Sequence, residues 1–384
     1  MKNVLRLLTL LLVAVFVTSC DKGVKTNSKQ VNYIAFQARE EGKWGMMSLD
    51  GKVLFKGKFE GSPTAAMNGM FFTRNMDDLV FELWAAEETP RLIGKYRDAG
   101  AFTSDLCPVV TKRGVIEYID KEGEPRITLK KIKGKEVETA FDFFNGMAMI
   151  KTEDGYGYIN ESGEIVVPCE YADAWNFSDD VAIVYTVLGE EDPEESEWSV
   201  IDNKGKVLFS KKGTEMWPES YSYYEGLLPV HTSSGRLALI DKTGKTVTRL
   251  KASNISSGIY NGMFVYYDED EEKSGLMNVD GEVVMKPKFD YLQYNGKFIV
   301  GTPDYEKYYM YDTNGEKLFK FAGNATIMTP EYKDYDKYIL VQDDDETIIV
   351  DAEGNEIDSE TKIVSYDNNY YWSVNIDFEL ESYD

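Results

Sequence analysis

A single histidine, His231, serves a chain of 384 residues, and only three cysteines accompany it. There is no Cys-x-x-Cys pair and no cluster with metal-ligand spacing, so no metal site is expected. Gly-x-Ser-x-Gly, a Gly-rich phosphate loop and a zinc-protease helix motif are missing as well. His231 with Ser233 or Ser234 has the residue types of a nucleophilic pair. Those serines read as a turn into the next strand, and His231 as a strand-end residue. Paired carboxylates say little in a chain with 67 acids. The expectation is a protein that is not an enzyme and carries no cofactor. Positive charge is also scarce: 42 Lys and Arg leave a formal net charge of −25. Phosphate backbones demand a basic surface, so nucleic acid is excluded as a partner. Long apolar runs are confined to residues 7–17, too short to cross a bilayer comfortably.

What the chain does have is repetition. A strand-like segment runs into an Asp- or Asn-flavoured turn ending in glycine, and a second strand follows. The turn glycines are Gly51, Gly123, Gly163, Gly205, Gly244, Gly281, Gly315 and Gly354. From Gly123 onward they recur every 34 to 42 residues, whereas Gly51 to Gly123 spans 72. A second marker, a small polar pair before an apolar strand, fills that gap. It reads Asn68-Gly69, Ser104-Asp105, Asn145-Gly146, Asp179-Asp180, Glu225-Gly226, Asn261-Gly262 and Asn295-Gly296, with Asp336-Lys337 and Asn368-Asn369 as weaker copies. Self-similarity at such a period signals a repeat architecture.

Each unit is legible in physical terms. Segments such as 147–151, 181–185 and 263–267 are short and rich in β-branched and aromatic residues, which suits strands. Asp-x-x-Gly closes a hairpin because Asp or Asn starts the turn and glycine takes the left-handed position freely. A third marker joins an aromatic to an acid: Phe59-Glu60, Phe141-Asp142, Phe289-Asp290, and Tyr171 with Asp173. These residues are expected to pin the link between hairpins. The reading is all-β, a repeat array of about nine three-stranded units, β-propeller-like, with an open β-repeat solenoid as the alternative. A unit cannot bury both faces alone, so neighbours stack. Nine exceeds the usual blade number. Even so, VNYIAFQ (31–37) and YYWSVNIDF (370–378) occupy one phase of the repeat and are expected to latch a ring.

Lys43-Trp44-Gly45 and Gly155-Tyr156-Gly157-Tyr158-Ile159, the latter followed by Val167-Pro168 and Tyr171, carry a family resemblance. The chain resembles the WG-repeat (KWG) family of bacterial proteins over about residues 31 to 378. Residues 96–110 look like that family's linker and next strand. Most copies depart from the pattern, with Trp198-Ser199 or Leu276-Met277 in place of the Trp-Gly pair. The resemblance implies a propeller-like array and no particular activity.

The N-terminus speaks of location. Lys2 and Arg6 precede the apolar run, and Val17-Thr18-Ser19-Cys20 resembles a bacterial lipobox. Residues 1–19 therefore read as a lipoprotein signal peptide, 20–30 as a lipidated tether and 31–384 as the repeat domain. Lipid on the Cys20 thiol and amine would exceed a marginal single-chain anchor. Losing Lys2 and Arg6 makes the mature charge two units more negative, −27. The expected place is the cell envelope, facing the periplasm, with membrane contact through the anchor alone. Cys107 and Cys169 read as two small apolar residues more readily than as a disulfide.

Acid concentrates at 189–197, 268–272 and 343–346, none with the spacing of an EF-hand. These stretches read as solvated loops. Tyrosine is abundant, 26 in all. Most tyrosines fit strand positions, but Tyr221, Tyr223 and Tyr224 fall in a linker and form the candidate binding patch. Together these features predict a membrane-anchored scaffold for protein–protein binding. A glycan- or peptidoglycan-binding module is the alternative, and a hydrolase in a propeller channel the weakest reading.

Overall fold

The computed structural model describes residues 30–189, 192–321, 323–343, 346–369 and 373–377. Residues 1–29, with the expected signal peptide and Cys20, lie outside the described residues. Hairpin follows antiparallel hairpin, and among the described residues the sole helical element is a 3-10 turn at Pro193–Glu195.

The strands gather into nine four-stranded blades, two of them joined through the N-terminal strand. Blade 4 is typical: Lys135–Phe144, Met147–Thr152, Gly155–Asn160 and Ile165–Tyr171. The nine units match the expected count, but each holds one more strand than the three expected. The extra channel-side strand is often two residues long, as in Ala66–Met67, Asp98–Ala99, Asp173–Ala174 and Ala325–Thr326. Such pieces are too short for side-chain alternation to register in sequence.

Turn chemistry follows the markers. At Asp202 the backbone carbonyl accepts from Gly205 N–H, while Oδ1 accepts from the Lys204 and Lys206 amides. Gly205 sits at φ +77°, a conformation that costs glycine nothing. In the Asn-Gly marker both residues are left-handed, for example Asn145 at +49° and Gly146 at +77°. That is the two-residue hairpin whose twist suits the flanking strands.

The Trp-Gly glycine has a different cause. Tyr156 pairs with Tyr171 and Tyr158 with Val167, so residues 168–170 of the outer strand stand opposite Gly157 alone. The same bulge faces Gly45 in blade 1 and Gly275 in blade 7. Where the pair is Trp198-Ser199, Ser199 faces Ser210 directly, and their hydroxyls lie 2.7 Å apart. Each bulge ends on the aromatic of the third marker, Phe59, Tyr171 or Phe289. Phe59 packs edge-on against Trp84 of the next blade, with centroids 5.1 Å apart.

Core residues lie between blades. Trp198, Val200 and Ile183 of blade 5 pack with Leu228, Val230 and Ala238 of blade 6. Equivalent clusters join each blade to the next, and one joins Leu340 and Ile349 of blade 9 to Ile34, Phe36 and Met47 of blade 1. The array is therefore a closed ring. Ser365–Asp367 supplies the channel-side strand of blade 1 by pairing with Val31–Gln37. Val31 also bridges to Tyr332 of blade 9.

The latch corrects one expectation. Residues 31–37 do take part, but their partner is Ser365–Asp367, not the stretch 370–378. The N-terminal strand already fills the second position of blade 1, so a segment in the same phase has no place there. Instead Ser373–Asn375 pairs with residues 139–141 as a fifth strand of blade 4. Residues 370–372 and 378 lie outside the described residues. Cys107 is buried in blade 3 and Cys169 half-buried in blade 4, both unpaired, as expected.

The two faces of the ring and the single histidine

Alternate hairpin loops of an antiparallel sheet emerge at opposite ends. The first-to-second and third-to-fourth turns of every blade therefore share one face, the turn face. Neighbouring blades tie this face together. Asn68 Nδ2 donates to Ser104 O, Gly226 N–H to Asp179, the Asn261 and Gly262 amides to Glu225, and Asn261 Nδ2 to Gly296 O. The marker pairs thus serve blade-to-blade cohesion as well as hairpin geometry. Lys121 and Lys242, from third-to-fourth turns, reach Asn68 Oδ1 and Asp179 O on the same side.

The second-to-third loops stand on the other face with the interblade linkers. Asp78 pairs with Lys95 at 2.9 Å, and the Glu269 amide donates to Ser253 Oγ. Acid gathers here: Asp77 and Asp78, Glu153 and Asp154, Asp192 with Glu194 and Glu195, Glu269 to Glu272, and Asp304 with Glu306. Basic loops are few, Lys112 and Arg113 in blade 3 and Arg236 in blade 6. The acidic stretches identified in sequence thus converge on one side of the ring. Residues 190, 191, 344 and 345 lie outside the described residues. Among the described residues no group of three His, Cys, Asp or Glu side chains is placed to hold a metal ion.

His231 lies near this loop face on the second strand of blade 6. Its Nε2 is 2.5 Å from Glu219 Oε2, Nδ1 is 3.4 Å from Gly235 O, and the ring stacks on Trp217 with centroids 5.4 Å apart. Neither Ser233 nor Ser234 reaches the imidazole; the Ser234 hydroxyl bonds that of Thr232. The hydrogen bond that His231 Nε2 donates to the Glu219 carboxylate raises the His231 pKa above its usual value, against a smaller opposing effect of burial. A raised histidine pKa contributes stability that is fully present below about pH 6.5. That contribution is lost as pH rises through the folded-state value. Wild type is expected to lose on the order of 1 kcal/mol between pH 5.5 and 8 that His231→Gln does not lose. Thermal melts of both proteins across that range check this, and parallel curves would remove His231 from the pH response.

The three tyrosines of the candidate patch separate. Tyr223 is 2% exposed, packed between blades 5 and 6 with its hydroxyl on Asp241 O. Tyr224 is half-buried between blades 6 and 7. Tyr221 is 47% exposed and stacks on Trp175, with centroids 3.7 Å apart at 11°. The half-buried partner of this exposed tyrosine, Trp175, was absent from the sequence-based patch because it comes from the neighbouring blade. Trp175 Nε1 and Asn176 Oδ1 beside it are buried without a partner.

On the channel side of blades 3 and 4 lie two buried acids. Loss of solvent pushes the Asp98 carboxyl up to about 6, although it accepts the Ala99 and Asn375 amides. Asp142 is fully enclosed, and the same cause raises its carboxyl well above the usual range; its Oδ1 accepts Ala101 N–H and its Oδ2 has no partner. Protonation is the inexpensive state for such a carboxyl.

Residues 156–186, the third strand of blade 4 through the second strand of blade 5, match the family described as WG containing repeat. The WG-repeat resemblance read from the residues is thereby borne out, and the fold is that of a β-propeller-like ring. No curated protein matches the chain. Among solved structures, a eukaryotic initiation factor aligns over 90% of this chain and 98% of its own, with TM-score 0.57 and 11% identity. BamB from Moraxella catarrhalis aligns over 83% and 98%, with TM-score 0.39 and 12% identity. Saccharomyces cerevisiae Sqt1 aligns over 82% and 97%, with TM-score 0.39 and 11% identity. At these identities the likeness concerns the fold alone.

Proposed function

We propose that the chain is a cell-envelope scaffold, tethered by lipid on Cys20, whose ring binds another protein through its loop face. The supporting observation is the point where the tether meets the ring. Gln30 O accepts the amide of Asn68, a turn-face residue of blade 2, and Val31 N–H donates to Glu331 O of blade 9. The segment from Cys20 therefore joins the turn face. Ten residues reach about 35 Å when fully extended and roughly 18 Å as a flexible coil. A ring held this way presents its turn face to the bilayer and its acidic, length-varied loops away from it. A negative surface favours a partner with a basic patch and adds to the encounter rate at low salt.

A second reading, a glycan-binding module, rests on Tyr221, exposed and backed by the half-buried Trp175, since an exposed aromatic held flat suits a sugar face. The weakest reading, a channel hydrolase, draws no support from His231, whose ring nitrogens face Glu219 and a backbone carbonyl. Crosslinking in intact envelopes followed by capture should yield a discrete protein partner, lost when Glu269 to Glu272 are replaced by Gln. Saturable binding of a purified glycan without any protein partner would favour the second reading instead. Cys20→Ser should move the protein from the membrane to the soluble fraction, and membrane retention of that variant would remove the anchor from the scheme.

A further inference from the structure

We propose that the channel-side groove between blades 3 and 4 is a binding site for an extended protein segment, occupied in cis by residues 373–376. Four observations meet there. The first strand of blade 4, Lys135–Phe144, is the longest strand among the described residues, at 10, and its edge runs on past residues 135–136, the part that Lys131–Ile132 covers. Residues 373–375 pair antiparallel with 139–141 on that edge, and Ile376 N–H donates to Glu138 O. Val374, 1% exposed, fills an apolar hole among Val110, Ile116, Ala140 and Phe143. Asp98 Oδ2, in blade 3, accepts Asn375 N–H.

This strap is separate from the closure of the ring. The latch is made by Ser365–Asp367 on the N-terminal strand, and by Val31 with Tyr332, none of which involves residues beyond 369. The strap can leave while the ring stays shut. What it leaves behind demands an occupant: an unpaired strand edge, a carboxylate without one of its donors, and an empty hole the size of a valine side chain. Recognition is backbone pairing plus two β-branched side chains, Val374 and the half-buried Ile376, set between polar neighbours, the recognition logic of strand addition. The fitting partner is an extended protein segment of that pattern, and the cis strap competes with it.

The test uses a fluorescent peptide of the strap sequence YYWSVNIDF and a chain ended after Asn369, which keeps the latch. The shortened ring should bind the peptide saturably, and the peptide with Val replaced by Asp should not bind. A strand on a short linker sits at roughly millimolar effective concentration, so the whole chain should take up the same peptide at least about tenfold more weakly. Should the shortened chain fail to fold, full-length Val374→Asp replaces it. In that variant, the Ala140 amide, which pairs towards Val374, should lose exchange protection and regain it with added wild-type peptide. A folded shortened ring that ignores the peptide overturns the proposal. So does a full-length chain that admits no peptide at hundredfold excess, which would make the strap a permanent part of the fold.

Discussion

Gly157→Ala is expected to cost about 3 kcal/mol of stability, among the largest effects of any single methyl added to this ring. The added Cβ would lie 2.5 Å from Val167 O and 2.7 Å from both Cys169 N and Pro168 C. All three are backbone atoms of the outer-strand bulge, so no side chain can swing aside. Gly45→Ala and Gly275→Ala meet the same obstacle, at 2.4 Å from Phe55 O and 2.6 Å from Met285 O. Gly61→Ala is the control: nothing lies within 4 Å of its Cβ and its φ is not positive, so its effect should stay within about 0.5 kcal/mol. Denaturant titration of the four variants distinguishes them. If Gly157→Ala matched Gly61→Ala, the bulge would not be what excludes a side chain at the Trp-Gly position.

That bulge illustrates how much was legible in the sequence. The turn glycines and Asn-Gly pairs are local signals, because each residue meets its own conformational demand within four positions. They located nine hairpin units correctly. The Trp-Gly glycine is a long-range signal, set by a strand that crosses ten residues later; its reason emerged only with the register of Gly157 against 168–170. The channel-side strands carried no signal, since Asp98–Ala99 or Ala325–Thr326 holds too few residues to show a period. Such pieces become strands because the second strand beside them offers an unpaired edge.

The three tyrosines of the candidate patch are separated for a physical reason. Tyr221, Tyr223 and Tyr224 are neighbours in sequence, but the connection they occupy turns so that Tyr223 faces blade 5 and Tyr224 faces blade 7. A linker position did not reveal burial, because the burying surface belongs to other units. The acid stretches were different. Their common placement on one face follows from repeat phase alone, since each falls between the second and third strands of its unit. A sequence reading that tracked phase along with composition would have placed them together.

Ending the chain after Val364 is expected to be far more damaging than ending it after Asn369, by about 5 kcal/mol. The longer deletion removes Ser365–Asp367 and with it three backbone partners of Ala35, Phe36 and Gln37. Ala35 and Phe36 are buried, at 0% and 1% exposed. It also removes the bond between Asp367 and Ser62, the carbonyl that Ala65 N–H uses on Asn369, and the Asn368 carbonyl that takes the Tyr332 hydroxyl. Each lost bond is worth about 1 kcal/mol, and each buried group left unpaired costs about 1 to 3 kcal/mol. Two mechanisms of closure make different forecasts. If the apolar cluster between blades 9 and 1 closes the ring unaided, the two truncations should differ only by the half-buried contact of Tyr366, because Leu340, Ile349, Ile34 and Phe36 remain in each. If the strand supplied by the C-terminus completes blade 1, the shorter chain should melt at least about 10 °C lower, given a few degrees per kcal/mol for a large domain. Its amides at 31–37 should then exchange far faster than those of blades 5 and 6. The buried backbone of Ala35 and Phe36 favours the second outcome, because an apolar cluster cannot satisfy the polar groups it encloses.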